Sequence, residues 1–77
     1  MPLAYVLFSV NSGSEDRVTK EVRAIPEVQE AFVSYGMYDS VVKIKTNSME
    51  RLKELVSHRL RTIPDVRSTL TLVLVEE

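Results

Sequence analysis

Seventy-seven residues make one domain, residues 1–77, and a chain this short buries only a modest fraction of its surface. It has no cysteine and a single histidine, which excludes disulfides and thiolate or histidine-rich metal sites and leaves oligomerisation as the staple a small scaffold needs. Ten basic and eleven acidic residues, mixed along the chain for a net charge of −1 and a pI near 5.8, argue against a module that binds nucleic acid by neutralising phosphates.

The apolar runs, Leu3 to Phe8 and Leu72 to Val75, are far below a membrane span, and no basic stretch precedes the first, as a signal peptide would need. The expectation is a cytoplasmic domain with no membrane contact. Leu3 to Val10 reads as a strand apolar on both faces, with Tyr5 and Leu7 on one side and Val6, Phe8 and Val10 on the other. Such a strand must be covered twice, once by the chain's own helices and once by another subunit. Asn11 to Ser14 is a loop, and Ser12 or Ser14 can cap the helix that follows. Val18, Val22 and Ile25 mark its apolar face, Arg17, Lys20, Glu21 and Arg23 its wet face, and Pro26 ends it near Ala24.

Val28 to Tyr35 is predicted as the second strand and Ser40 to Thr46 as the third, joined by the turn Gly36-Met37-Tyr38-Asp39. The third strand places Val42 and Ile44 on one face and Val41, Lys43 and Lys45 on the other, the lysines forming a wet or rim face. Asn47 or Ser48 caps a second helix whose stripe is Leu52, Leu55, Val56, Leu60 and Ile63, ended by Pro64. Val66 to Val75 is the last strand. Its leucines, Leu70, Leu72 and Leu74, are expected to face the helical core, and its Thr69, Thr71, Val73 and Val75 row to face a partner sheet.

Ile25-Pro26-Glu27-Val28 recurs as Ile63-Pro64-Asp65-Val66, an offset of 63 − 25 = 38 residues. In each copy a helix ends, a proline turns the chain, an acid faces water and a valine opens a strand. The order is therefore βαββαβ, an α+β, ferredoxin-like arrangement. Right-handed crossovers give an antiparallel four-stranded sheet in the order 4-1-3-2 with both helices on one face. The opposite face is left bare and apolar, suited to dimerisation.

The strand with Ala4-Tyr5-Val6, the turn Gly36-Met37-Tyr38-Asp39, the two Ile-Pro-acid-Val turns and Ser68-Thr69-Leu70-Thr71 together resemble one family. It is the ligand-sensing or RAM domain (regulation of amino acid metabolism) of the leucine-responsive regulatory protein/asparagine-operon regulator (Lrp/AsnC) family. The likeness runs from about residue 3 to 75. It implies a stand-alone RAM domain without the family's DNA-binding helix-turn-helix half, and hence no direct DNA binding. It further implies homodimers through the sheet face, ring-like higher homo-oligomers, and an amino-acid effector held between subunits. A full-length Lrp/AsnC-type regulator is a partner it also implies. Carried over residue by residue, the resemblance assigns Gly36, Tyr38, Asp39, Thr69 and Thr71 to the effector cleft, with Ser68 beside them. Met37 stands where the family often has an acid.

Chemistry leaves two roles open for Asp39: pairing with the α-ammonium of an amino acid, or closing the hairpin turn. Thr69 and Thr71 can offer hydroxyls or simply favour a strand. In the order 4-1-3-2, Asp39 and these threonines are not on neighbouring strands, so a site that unites them draws on a second subunit. No nucleophile–base pair is visible, the first loop lacks the arginine of acylphosphatase-like hydrolases, and His58 lies on the outer side of its helix. Neither catalytic residues, metal ligands nor a cofactor are expected. The reading is a non-catalytic sensing and oligomerisation domain that modulates amino-acid metabolism or transcription through partner regulators. A purely structural oligomerisation module is the main alternative and a small ferredoxin-like enzyme the lesser one.

Overall fold

Residues 2–74 are described by a computed structural model. Strand β1, Leu3–Val10, buries Ala4, Val6, Phe8 and Val10 and leaves the residues between them half-buried, so its alternation separates two faces. Helix α1, Glu15–Arg23, has Glu15 and Asp16 in its first turn and Lys20 and Arg23 in its last, matching the helix dipole. Ser14 holds the N-cap position without a side-chain bond, and Glu15 Oε1 instead accepts from the Gly13 amide at 3.1 Å. Ala24 closes the helix, and Val18, Val22 and Ile25 are buried.

Strands β2, Val28–Val33, and β3, Ser40–Lys45, form a hairpin. Helix α2, Met49–Glu54, is capped by Ser48, whose hydroxyl accepts from the Arg51 amide at 3.1 Å. The helix then widens into a π-helical turn, Leu55–Leu60, where the Arg61 amide reaches back five residues to the Val56 carbonyl. Leu52, Leu55, Leu60 and Ile63 are buried and Val56 half-buried, so the predicted stripe packs inward although the helix is not regular. Strand β4 spans Val66–Leu74. The expected Val75 lies outside the described residues.

The sheet order is β2-β3-β1-β4, all antiparallel, which is the predicted 4-1-3-2 order read from the other edge. One face carries both helices and a single core built from β1, β3, Ala31 of β2 and the two helical stripes. On the other face, Leu7 lies between Val41 and Leu70, Tyr5 between Lys43 and Leu72, and Leu3 between Lys45 and Leu74.

That register overturns the predicted faces of β4. Its leucines lie on the bare face, where Leu70, Leu72 and Leu74 are 42%, 47% and 38% exposed. Thr69, Thr71 and Val73 pair with Phe8, Val6 and Ala4 and face the helices. The cause is a β-bulge. Val66 pairs with Val10 but Ser68 pairs with Ser9, so Arg67 is an extra residue that flips every side chain after it to the opposite face. β2 is also shorter than predicted, because Ser34 already belongs to the turn. At the free side of the sheet, Arg23 donates twice to the Ala31 carbonyl, at 3.1 and 2.7 Å, covering part of an edge strand.

The two repeat turns are closed alike, by Val28 N–H to the Ile25 carbonyl and Val66 N–H to the Ile63 carbonyl. Their acids do not simply face water, as the sequence suggested. Glu27 accepts from Arg51 at 2.7 Å, and Asp65 pairs with Arg17 and accepts from Asn11 at 3.0 Å. Arg17 and Arg51 are each the third residue of their helix, so each unit's turn is held by the other unit's helix. Arg51 hydrogen bonding holds the Glu27 carboxyl below its ordinary range, and the Asn11 amide followed by Arg17 does the same for Asp65. The Arg17–Asp65 pair is open to solvent on both sides and Glu27 only partly so, and screening limits what each pair adds on its own. A second tie is buried: the Thr19 and Ser40 hydroxyls meet at 3.1 Å between α1 and β3.

Two measurements follow. A carboxyl whose folded pKa is depressed adds stability that is complete above its unfolded pKa and is lost as pH falls through the folded value. Urea midpoints should therefore fall as pH drops below about 4, and the fall should be smaller in Glu27→Gln/Asp65→Asn. Thr19→Val strands the Ser40 hydroxyl and should cost about 1–3 kcal/mol. Thr19→Val/Ser40→Ala should cost less than the sum of the two single changes in the same urea titrations.

Candidate functional site

The hairpin turn between β2 and β3 is built by its own polar groups. Ser34 N–H donates to the Asp39 carbonyl at 2.8 Å, and Ser34 Oγ donates to the Tyr38 carbonyl at 3.0 Å. Gly36 has φ +143°, in the region glycine tolerates and other residues rarely adopt, while a Cβ there would meet nothing within 4 Å. The backbone alone therefore asks for glycine. Tyr35 and Met37 flank it at 96% and 86% exposed, and Tyr38 is half-buried.

Asp39 joins this turn to the end of β1. Its N–H donates to the Phe8 carbonyl at 2.7 Å, and its Oδ2 accepts from the Val10 N–H at 2.9 Å. The carboxylate so satisfies an amide at the point where the β1–β3 ladder ends. The backbone carbonyl of Asp39 closes the hairpin, while its side chain braces the turn against β1, a tie the sequence reading did not include. Its Oδ1 has no hydrogen bond among the described residues, so half of the carboxylate is uncommitted.

Ser68 and Thr69 reach the same end of the sheet from the other side. Ser68 pairs with Ser9 and Thr69 with Phe8, while Ser40, next to Asp39, also pairs with Phe8. One strand, β1, separates the two groups, which puts them about 10 Å apart within one chain. Gly36, Tyr38 and Asp39 therefore cluster in the turn, and Ser68 and Thr69 stand across β1 from them. Thr71 is brought to neither group. It pairs with Val6 two residues farther along and lines a groove under α2 with Met49, Leu52, Val56 and Val73. Among the described residues, no group of three or more His, Cys, Asp or Glu is placed to hold a metal ion.

The sequence reading missed one feature of this end of the sheet. Arg67, the bulge residue, lines a cleft with Arg61, Val66, Ser68 and Thr69. The one trace of the bulge in the chain is the polar run Arg67-Ser68-Thr69, which interrupts the alternation between Val66 and Leu70 without fixing where the phase changes.

The Lrp/AsnC ligand binding domain family model matches residues 3–77. The chain belongs to this family. Among curated relatives, the HTH-type transcriptional regulator FL11 of Pyrococcus horikoshii is 32% identical over 74 residues, covering 96% of this chain and 48% of its own length. This Lrp/AsnC domain thus spans about half the length of the curated relatives it matches, and those relatives carry the names of transcriptional regulators rather than enzymes. The crystal structure of FFRP-DM1 superposes with a TM-score of 0.94 at 33% identity, covering 97% of this chain and 100% of that one. A transcriptional regulator of Neisseria meningitidis solved as its L-Met complex shares the fold at a TM-score of 0.83 and 20% identity, over 99% of this chain and 51% of that one.

The double engagement of Asp39 gives a direct test. Asp39→Ala leaves the Val10 amide without its acceptor and should cost about 1–3 kcal/mol in urea unfolding. Asp39→Asn retains an acceptor oxygen and should cost clearly less.

Proposed function

We propose that this domain is a non-catalytic amino-acid sensor that works as a homo-oligomer and modulates transcription or amino-acid metabolism through a partner regulator. The observation that carries the reading is the bare sheet face. Leu3, Tyr5 and Leu7 form its central row, with Leu70, Leu72 and Leu74 on one side and Val41 and Phe32 on the other. An apolar face of this breadth on so small a domain is suited to burial against another copy. Leu70, Leu72 and Leu74 keep 38–47% exposure, so covering each contributes roughly half of the about 1.5–3 kcal/mol that burying a leucine fully is worth, summed over both protomers.

Dimerisation matters to the site because one chain leaves Asp39 and Ser68 on opposite sides of β1. A second protomer supplies the opposing wall. Asp39 Oδ1 then receives the α-ammonium of an amino acid, and amides of the Gly36 turn receive its carboxylate. The ammonium contact is charge-assisted and stronger than a neutral hydrogen bond. The uncommitted Asp39 oxygen, the family membership and the L-Met complex of a protein with this fold all support this reading. Met37, exposed beside the glycine, provides an apolar contact at the same turn.

The test is a thermal-shift screen of the full chain against the twenty amino acids, with sedimentation alongside. A ligand bound only to the folded state raises stability by RT ln(1 + [L]/Kd). The expected result is a rise in Tm for a few related amino acids, lost in Asp39→Asn, together with dissociation of the oligomer in Leu72→Asp. A flat screen on an oligomer that remains intact would instead identify a structural assembly module.

A further inference from the structure

We propose that the cleft between Arg61 and the bulged start of β4 binds a small dianion, a dicarboxylate or the phosphate-bearing end of a metabolite. It holds about 350 Å³ and is lined by Arg61, Val66, Arg67, Ser68 and Thr69. Two cations line it beside Ser68 and Thr69, whose successive side chains take opposite faces of the edge strand, and no acid does. All four ion pairs among the described residues use Arg17 or Arg51, so neither Arg61 nor Arg67 has a carboxylate partner there. Asp65, the nearest acid in sequence, is turned by its φ of +73° to Arg17 and Asn11 and does not line the cleft.

A second charged cleft is different in kind. Glu27, Arg51, Glu54, His58 and Arg59 line it with both signs of charge, and Arg51 bonds both glutamates. Arg61 follows the C-terminus of the π-helical turn, where the helix dipole by itself favours one cation. No dipole asks for Arg67. It is there because the bulge inserts it, and bulges are a common device for re-aiming a side chain at a site. Two like charges on one cleft repel each other until an anion lies between them. Guanidinium forks suit carboxylate and phosphate alike. Ser68 and Thr69 are shared with the residues assigned to the amino-acid cleft, whereas Arg61 and Arg67 are particular to this one.

The test is titration of the intact protein with inorganic phosphate and with glutarate, against chloride at matched ionic strength, read by Tm and by amide NMR shifts. The expected result is a saturable rise in Tm with at least one of the two, and shifts centred on Val66 to Thr69. Arg67→Gln should weaken it about tenfold, the size of one lost charge-assisted bond, whereas Arg59→Gln in the mixed cleft should not. Response to phosphate alone identifies a phosphorylated ligand, and response to glutarate alone a dicarboxylate. No response beyond chloride, or a response retained in Arg61→Gln/Arg67→Gln, overturns the proposal. Loss of anion binding in Arg67→Gln with any neutral amino-acid response intact keeps this result separate from the sensing reading.

Discussion

Ala4, Val6, Phe8 and Val10 lie beneath the helices, and the residues between them form the middle row of the opposite face. β1 pairs with β3 on one side and β4 on the other, so every strand takes its register from β1 directly or through β3. A central strand apolar on both faces cannot be satisfied by two helices on one of them. That imbalance connects the fold to assembly, since the helices complete one layer and leave Leu3, Tyr5 and Leu7 to be covered by something else.

The two halves of the chain are tied across this strand rather than along the sequence. Glu27 is held by Arg51 and Asp65 by Arg17, a reciprocal arrangement in which each turn depends on the other unit's helix. Asp39 adds a third tie, from the hairpin turn to the Val10 amide. The candidate site residues therefore sit on a frame that is already cross-braced. The same carboxylate that completes the frame keeps its second oxygen, Oδ1, free of hydrogen bonds among the described residues.

Much of this was legible in the residues. The Ile-Pro-acid-Val repeat announced two βαβ units, and the closing hydrogen bonds of its two copies match. The stripes Val18, Val22, Ile25 and Leu52, Leu55, Leu60, Ile63 pack as their spacing implied. The turn around Gly36 and the place of Asp39 beside it were also visible, because glycine and aspartate carry local backbone preferences. Arg17 read only as a wet-face residue and the pairing of Arg51 was not visible, since ion pairs across 48 and 24 residues leave no periodic trace.

Local chemistry determined the elements, their order and the bare face. These depend on hydrophobic period, capping and proline placement, all of which act within a few residues. The tertiary structure alone decided which side of β4 is buried. A single bulge at Arg67 sends Leu70, Leu72 and Leu74 to the open face and Thr69 and Thr71 under the helices, against the phase that Val66 sets. With a period of two, a strand carries equal information for either phase, and only its pairing with β1 selects one. The same bulge brings Arg67 beside Arg61, and the chain order of residues six apart gives no hint of that meeting.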